Sequence, residues 1–321
     1  MALDKDSKIY VAGHNGMVGS AVVRALQARG FENLVTRSSA ELDLINQERV
    51  AKFFEKEKPD CVFMCAARVG GIYANMNSHA EFLYENTMME LNTIRSAMKN
   101  GTKDYLFIGS VCVYPCAAEQ PVREDSLLTG PFEPMDEGYG VAKLVGLEYC
   151  DFLNKQYGLH YISVMPTNLY GPRDNYNPKN SHVLPGMIQR FDAAKNNGDK
   201  EVVVWGDGTA TREFLYVDDL ADACLFLMEN YSGPGTVSVG TGVETSIREL
   251  AYIVKDVVGF EGEIVFDASK PEGTHKRYLD VTRLNQLGWK YSTSVRHGVE
   301  LAYADYLKGN VRMNRGIERG M

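Results

Sequence analysis

The segment Lys8-Ile9-Tyr10-Val11-Ala12, running straight into Gly13-His14-Asn15-Gly16-Met17-Val18-Gly19, decides how the rest of the chain is read. Its first half is a short apolar run of strand-forming residues. Its second half places glycine at 13, 16 and 19, immediately before a helical pattern. That spacing serves a tight turn, a close backbone approach to a pyrophosphate, and close packing of helix on strand. The start of the helix also offers free N–H groups and positive partial charge to phosphates. Gly13, Asn15, Gly16, Met17, Val18 and Gly19 are therefore the expected floor of a dinucleotide site.

The next strand, Leu34-Val35-Thr36, ends at Arg37-Ser38-Ser39. A site that reads the ribose 2'-hydroxyl usually has an acid there, whereas an arginine suits a 2'-phosphate. Arg37 thus predicts NADP(H) as the cofactor. Asp43 follows on the adenine side of the expected pocket, where it is also placed to cap the next helix.

Further outward the alternation continues. Helices are expected over 17–29, 46–57, 79–99 and 139–157, and strands over 61–67, 105–108 and 161–164. Strands separated by helices of this length imply right-handed βαβ crossovers and a parallel sheet covered on both faces. The predicted fold class is α/β, a Rossmann-type doubly wound parallel sheet with a smaller α/β C-terminal substrate domain. After Gly171 the pattern changes. Residues 171–186, rich in Pro, Asn, Asp and His, read as a long functional loop. Strands at 202–205, 236–239 and 263–267 then alternate with helices at 218–230 and 246–258. The expected division is 1–172 plus about 215–243 for NADP, and about 173–214 plus 244–321 for substrate. The stretch Gly309 to Met321 reads as a mobile tail.

Composition narrows the function classes. A chain of 321 residues has room for about two domains. Its 34 basic and 42 acidic residues leave a formal net charge of -8, which argues against a non-specific nucleic-acid or anionic-membrane binder. The longest apolar run, Cys61 to Ala67, is far short of the roughly 18–20 residues of a membrane-spanning helix. The N-terminus lacks the basic segment and apolar core of a signal peptide. Six cysteines without a Cys-x-x-Cys pair suggest neither a disulfide framework nor a zinc site. The expectation is a reduced, cytoplasmic protein without a metal.

Chemistry gathers downstream in Tyr139-Gly140-Val141-Ala142-Lys143. On a helix, positions i and i+4 share a face, so a phenol and an ammonium point into one cleft. The cation, helped by a positive nicotinamide, stabilises phenolate and lowers the phenol pKa toward working pH. Ser110, at the end of Ile108-Gly109-Ser110, lies where α/β sheets present ligand-binding groups. Its hydroxyl can bond the same carbonyl oxygen that Tyr139 protonates.

With the glycine turn, Ser110, Tyr139 and Lys143 together, the chain resembles the extended short-chain dehydrogenase/reductase family. Within it, the resemblance is to the branch that makes GDP-L-fucose from GDP-4-keto-6-deoxy-D-mannose. Val69-Gly70-Gly71-Ile72, Gly109-Ser110-Val111-Cys112-Val113-Tyr114-Pro115, Met165-to-Pro172, Asn180-Ser181-His182-Val183 and Arg212-Glu213-Phe214-Leu215 carry it. The resemblance implies C3 and C5 epimerisation through enolates, then NADPH-dependent reduction at C4 with Tyr139 as proton donor. Cys112 and His182 match the epimerising pair, with the thiol as base and the imidazole as acid. Arg190, Trp205, Arg212 and Glu272 match the substrate side. Lys143, Pro166, Asn168, Leu169 and His182 fall on the nicotinamide side. Asn15 and Ser39 stand where relatives commonly carry basic residues. A homodimer packed through helices 79–99 and 139–157 is also implied. Two rival readings are an NAD-dependent nucleotide-sugar 4-epimerase of the same fold and a catalytically silent NADP-binding protein. The 4-epimerase needs no Cys112/His182 pair, and the silent binder gains nothing from a tuned phenol.

Overall fold

The computed structural model describes residues 4–178, 180–233, 235–270, 275–309 and 311. Glu272 and almost all of the expected tail lie outside the described residues.

Ile9–Ala12 and Cys61–Met64 are buried at every position. A strand with no solvent-facing residue needs cover on both faces, which is the condition of a parallel sheet between helix layers. Six strands form that sheet in the order Thr236–Val239, His160–Pro166, Asp104–Ile108, Cys61–Met64, Ile9–Ala12, Leu34–Val35. Every pairing in it is parallel. From Ile9–Ala12 the chain first moves out to Leu34–Val35 and then returns to the other side at Cys61–Met64. The order therefore reverses beside the first strand, and the crevice above such a reversal is where open α/β sheets bind ligands.

Helices Met17–Ala28 and Val217–Asn230 cover one face, sharing a core with Val11, Phe63, Leu106 and Val164. Gln47–Glu57, His79–Lys99 and Glu137–Tyr157 cover the other, around Phe54, Tyr105, Phe107 and Tyr161. A third core joins helices Val183–Asn197, Ile247–Val258 and Val295–Leu307 to Val202 and Val204 of strand Glu201–Trp205. In Ile247–Val258 the buried residues are Ile247, Leu250, Ala251, Val254 and Val258, one stripe of a 3.6-residue period. The Ser246 side chain accepts the Glu249 N–H at its start, a cap worth about 1 kcal/mol.

Two expectations need correction. The loop expected over 171–186 ends at His182, because helix Val183–Asn197 begins there. That helix buries Leu184, Met187, Ile188 and Phe191, a helical spacing that the Pro- and Asn-rich lead-in obscured. Asp43 caps no helix: Asn46 accepts the Arg49 N–H, while Asp43 closes a local turn onto the N–H of Ile45 at 3.1 Å.

Candidate active site

The glycine turn is built to leave space. Gly13 has φ +79, and a Cβ there would lie 2.7 Å from the backbone of Ala66. A Cβ on Gly19 would run into the carbonyl of Gly13. Helix Met17–Ala28 starts at Gly16 with no side-chain cap and no acidic residue in its first turn. Its first N–H groups thus face an uncapped, electropositive cradle, which fits the pyrophosphate of a dinucleotide.

At the end of the second strand the donors are already engaged. Arg37 pairs with Glu57 at 2.9 Å and donates to the carbonyl of Thr36 at 2.7 Å. The Ser38 N–H and hydroxyl both donate to Glu41, at 2.8 and 2.6 Å. An incoming 2'-phosphate has to share these donors with the carboxylates or displace them.

Several catalytic candidates gather at the end of strand Asp104–Ile108. Ser110 leaves its strand in extended conformation, and its Oγ accepts the Cys112 N–H at 3.2 Å. This closes the short turn Val111–Val113 and fixes the thiol beside the serine. The Ser110 hydroxyl also lies near enough to the Tyr139 phenol to favour its ionised form. Tyr139 and Lys143 lie in the first turns of helix Glu137–Tyr157, which can approach because Gly140 has no side chain. A Cβ there would meet the Cys112 carbonyl at 2.6 Å. Lys143 is almost wholly buried and donates to the Ile108 carbonyl at 2.9 Å. Burial holds the Tyr139 phenol well above its ordinary pKa, with Cys112, Glu90 and Asp136 adding to the rise. The expectation that Lys143 would lower the phenol toward working pH is therefore not met, because burial outweighs the cation; the phenol is protonated at neutral pH, as a proton donor requires.

His182 reaches the cleft from the other side, as the residue before helix Val183–Asn197. Its loop is pinned by Gly71, whose N–H donates to the Asn180 carbonyl at 3.0 Å. A Cβ on Gly71 would lie 2.7 Å from the Ser181 carbonyl, so the missing side chain at 71 sets how near His182 comes. The imidazole sits at the cleft rim, exposed on one side, yet enough protein surrounds it to lower its pKa by desolvation. Burial, then the charge of Asp136, pushes the Cys112 thiol up to about 12.

Asp136 is the residue the sequence reading missed. It stands at the start of helix Glu137–Tyr157, but its side chain makes no cap bond. Instead its Oδ2 lies 3.7 Å from Cys112 Sγ, and its charge also opposes the fall in the His182 pKa. Its position three residues before Tyr139 was the available signal.

The expected substrate residues are more scattered. Trp205 ends strand Glu201–Trp205 with its indole exposed. Arg212 donates to the carbonyl of Thr211 at 2.8 Å. Arg190 spends its guanidinium on the carbonyls of Gly186 and Val203, at 3.2 and 3.1 Å. Glu213 is fully buried and accepts the N–H groups of Thr241, Gly242 and Leu279. Its own carbonyl accepts from Asn168 at 2.9 Å, which anchors the Pro166–Leu169 turn on the expected nicotinamide side.

Comparison with known proteins agrees with this geometry. Residues 9–240 match the family described as NAD dependent epimerase/dehydratase. GDP-L-fucose synthase 1 of Arabidopsis thaliana is 52% identical over 305 residues, covering 95% of this chain and 94% of that one. GDP-L-fucose synthase of Escherichia coli (strain K12) is 47% identical, covering 95% of this chain and 98% of that one. Among solved structures, a GDP-mannoheptose C4 reductase from Campylobacter jejuni with NADP bound superposes with a TM-score of 0.88. It is 38% identical and covers 95% of this chain and all of that one. A strand–glycine–helix cradle, a serine–tyrosine–lysine set and near full-length identity all point the same way: the chain belongs to the NAD dependent epimerase/dehydratase family, on its GDP-L-fucose synthase branch.

Proposed function

We propose that this enzyme converts GDP-4-keto-6-deoxy-D-mannose to GDP-L-fucose, by epimerisation at C3 and C5 followed by NADPH-dependent reduction at C4. The observation that carries the reading is the placement of two acid–base sets around one serine. Ser110 stands beside the Tyr139 phenol and accepts the Cys112 N–H.

When bound, NADPH supplies hydride to C4. The chain's part in reduction is to hold the ketone oxygen between the Ser110 and Tyr139 hydroxyls. Tyr139 gives its proton to that oxygen, and the Lys143 ammonium stabilises the phenolate left behind. Epimerisation uses the acidity that the 4-keto group confers on C3–H and C5–H. With the thiol pKa raised and the imidazole pKa lowered, the resting pair is neutral at pH 7. The base form arises when the Cys112 proton passes to His182. The thiolate then removes the C–H proton from one face, and the imidazolium returns a proton to the other. Asp136 stabilises the imidazolium of that exchange while its charge works against the thiolate.

Trp205 offers an open aromatic face to base or sugar, and Arg212 a charged donor for the diphosphate. Arg190 joins them only by releasing a backbone carbonyl. NADP(H) is supported by Arg37 and the uncapped cradle. Residues 1–172 with about 215–243 form the cofactor domain. Strand Thr236–Val239 in the central sheet and helix Val217–Asn230 on its face support that division. Residues 173–214 with 244–321 form the substrate domain around the third core. A homodimer is supported by apolar Leu83, Tyr84, Phe152 and Tyr157, exposed on the paired helices His79–Lys99 and Glu137–Tyr157. Six free cysteines, one of them needed as a thiol, fit the reducing cytoplasm. No described helix is long and apolar enough to cross a membrane.

The test is to mix the protein with GDP-4-keto-6-deoxymannose in heavy water. Deuterium should enter C3 and C5 without cofactor, and added NADPH should be consumed with formation of a GDP-6-deoxy-galactose-series sugar. Consumption without deuterium uptake would leave a simple reductase, and neither would remove the proposal.

A further inference from the structure

A buried acid that this mechanism leaves unused lies directly behind Lys143. Glu90, inside helix His79–Lys99, is completely buried, and its Oε1 is 3.0 Å from Lys143 Nζ. The side chains of the pair are 2% and 1% accessible. The Ile108 carbonyl accepts one ammonium N–H, and Glu90 faces the ammonium as an ion pair. Space for the carboxylate is made on the facing helix by Gly146. A Cβ there would lie 2.7 Å from Glu90 Oε2 and 2.6 Å from the Phe107 ring. Lys143 itself lies over the Tyr139 ring, 5.8 Å from its centroid, and over Phe107 at 4.8 Å.

The titratable groups that feel Glu90 are Lys143, Tyr139 and Cys150 from helix Glu137–Tyr157 and Tyr105 from strand Asp104–Ile108. Cys65, after strand Cys61–Met64, faces Lys143. Lys143 is the one cation in this described set. Burial raises the Glu90 carboxyl above its ordinary range, and Lys143 pulls it back.

We propose that Glu90 is a positioning residue for ketone reduction: its carboxylate fixes the Lys143 ammonium beside Tyr139 and sets a buried negative charge behind the pair. A buried negative charge disfavours loss of a proton from every neighbour, ammonium or phenol alike. The inference rests on the reading that Tyr139 and Lys143 serve reduction at C4.

The experiment compares wild type, Glu90→Gln and Glu90→Asp. In Glu90→Gln the alkaline limb of NADPH-dependent reduction should move at least about one pH unit lower, with KM for the sugar unchanged. Deuterium exchange at C3 and C5, read without cofactor, should keep its wild-type pH profile. The groups acting on Cys112 are Asp136, Ser110 and Arg277, not Glu90. Glu90→Asp should restore the wild-type limb with a severalfold lower kcat, because its shorter arm keeps the charge and loosens the clamp. The infrared difference between cofactor-free wild type and Glu90→Gln should contain a carboxyl titrating above the ordinary glutamate range. An unmoved alkaline limb in Glu90→Gln overturns the charge role, as does a limb still displaced in Glu90→Asp. Should Glu90→Gln not fold, a wild-type kcat in Glu90→Asp overturns the positioning role. A wild type that never consumes NADPH with the keto sugar defeats the functional reading instead.

Discussion

Ser110, Tyr139 and Lys143 sit on one strand end and the first turns of one helix, whereas His182 arrives on a loop from beyond residue 170 and is held by a contact with Gly71. The first set is rooted in the central sheet, with Lys143 buried against Ile108 and Glu90. The second depends on two backbone segments pressed together without a side chain between them. Local helix periodicity fixes Tyr139 and Lys143, while the proposed epimerising pair depends on two distant loops holding their spacing. Reduction should therefore survive small backbone shifts that epimerisation does not.

Four substitutions break or sharpen this contrast. Tyr139→Phe removes the proton donor alone and should lower C4 reduction by about 10⁴-fold, the top of the range for general acid–base catalysis. Deuterium exchange at C3 and C5 should continue in it. Simultaneous loss of both activities would show that the two sets do not divide the labour.

Cys112→Ser comes next. A hydroxyl is far less acidic than a thiol, so C3/C5 exchange should fall by about 10³-fold. Slow reduction of the unepimerised ketone should remain, giving a 6-deoxy sugar of the starting series. Near-normal deuterium uptake would take Cys112 out of the mechanism.

Gly71→Ala is the sharpest probe of the loop contact. Its φ of -70 suits any residue, so the effect comes only from the new Cβ against the Ser181 carbonyl. Displacing His182 by a fraction of an ångström to an ångström should slow exchange by about 10–10². Reduction should change much less; equal losses would mean that the loop serves both halves.

The smallest effect belongs to Arg37→Ala. It should weaken NADPH binding by about 1.5 kcal/mol, the low end for a hydrogen bond to a charged group, because Glu57 already competes for the guanidinium. NADH binding, measured in parallel by fluorescence titration, should barely move. Equal weakening of both would show that Arg37 does not read the 2'-phosphate.

Much of this molecule was legible before any coordinates. The βαβ alternation, the glycine turn and the Tyr139/Lys143 pair depend on neighbours within a few residues, so periodicity and spacing reveal them. Helix Val183–Asn197 was not read, because Pro, Asn and His in its lead-in mimic a loop while its buried face answers to a core formed with residues 247–258 and 295–307. Asp136 was missed for a related reason. An aspartate before a helix is an ordinary cap by sequence, and only the packed structure turns it toward Cys112 Sγ.

By itself, the sequence determined the sheet-and-helix frame and the dinucleotide cradle, and it singled out the side chains proposed to react, since those follow from local backbone preference and residue chemistry. Only the tertiary structure decided that Glu57 and Glu41 occupy the donors at the second strand, that Arg190 is committed to backbone carbonyls, and that Glu90 stands behind Lys143. Burial and charge pairing join residues far apart in the chain. No one-dimensional pattern records which of them will share a dry interior.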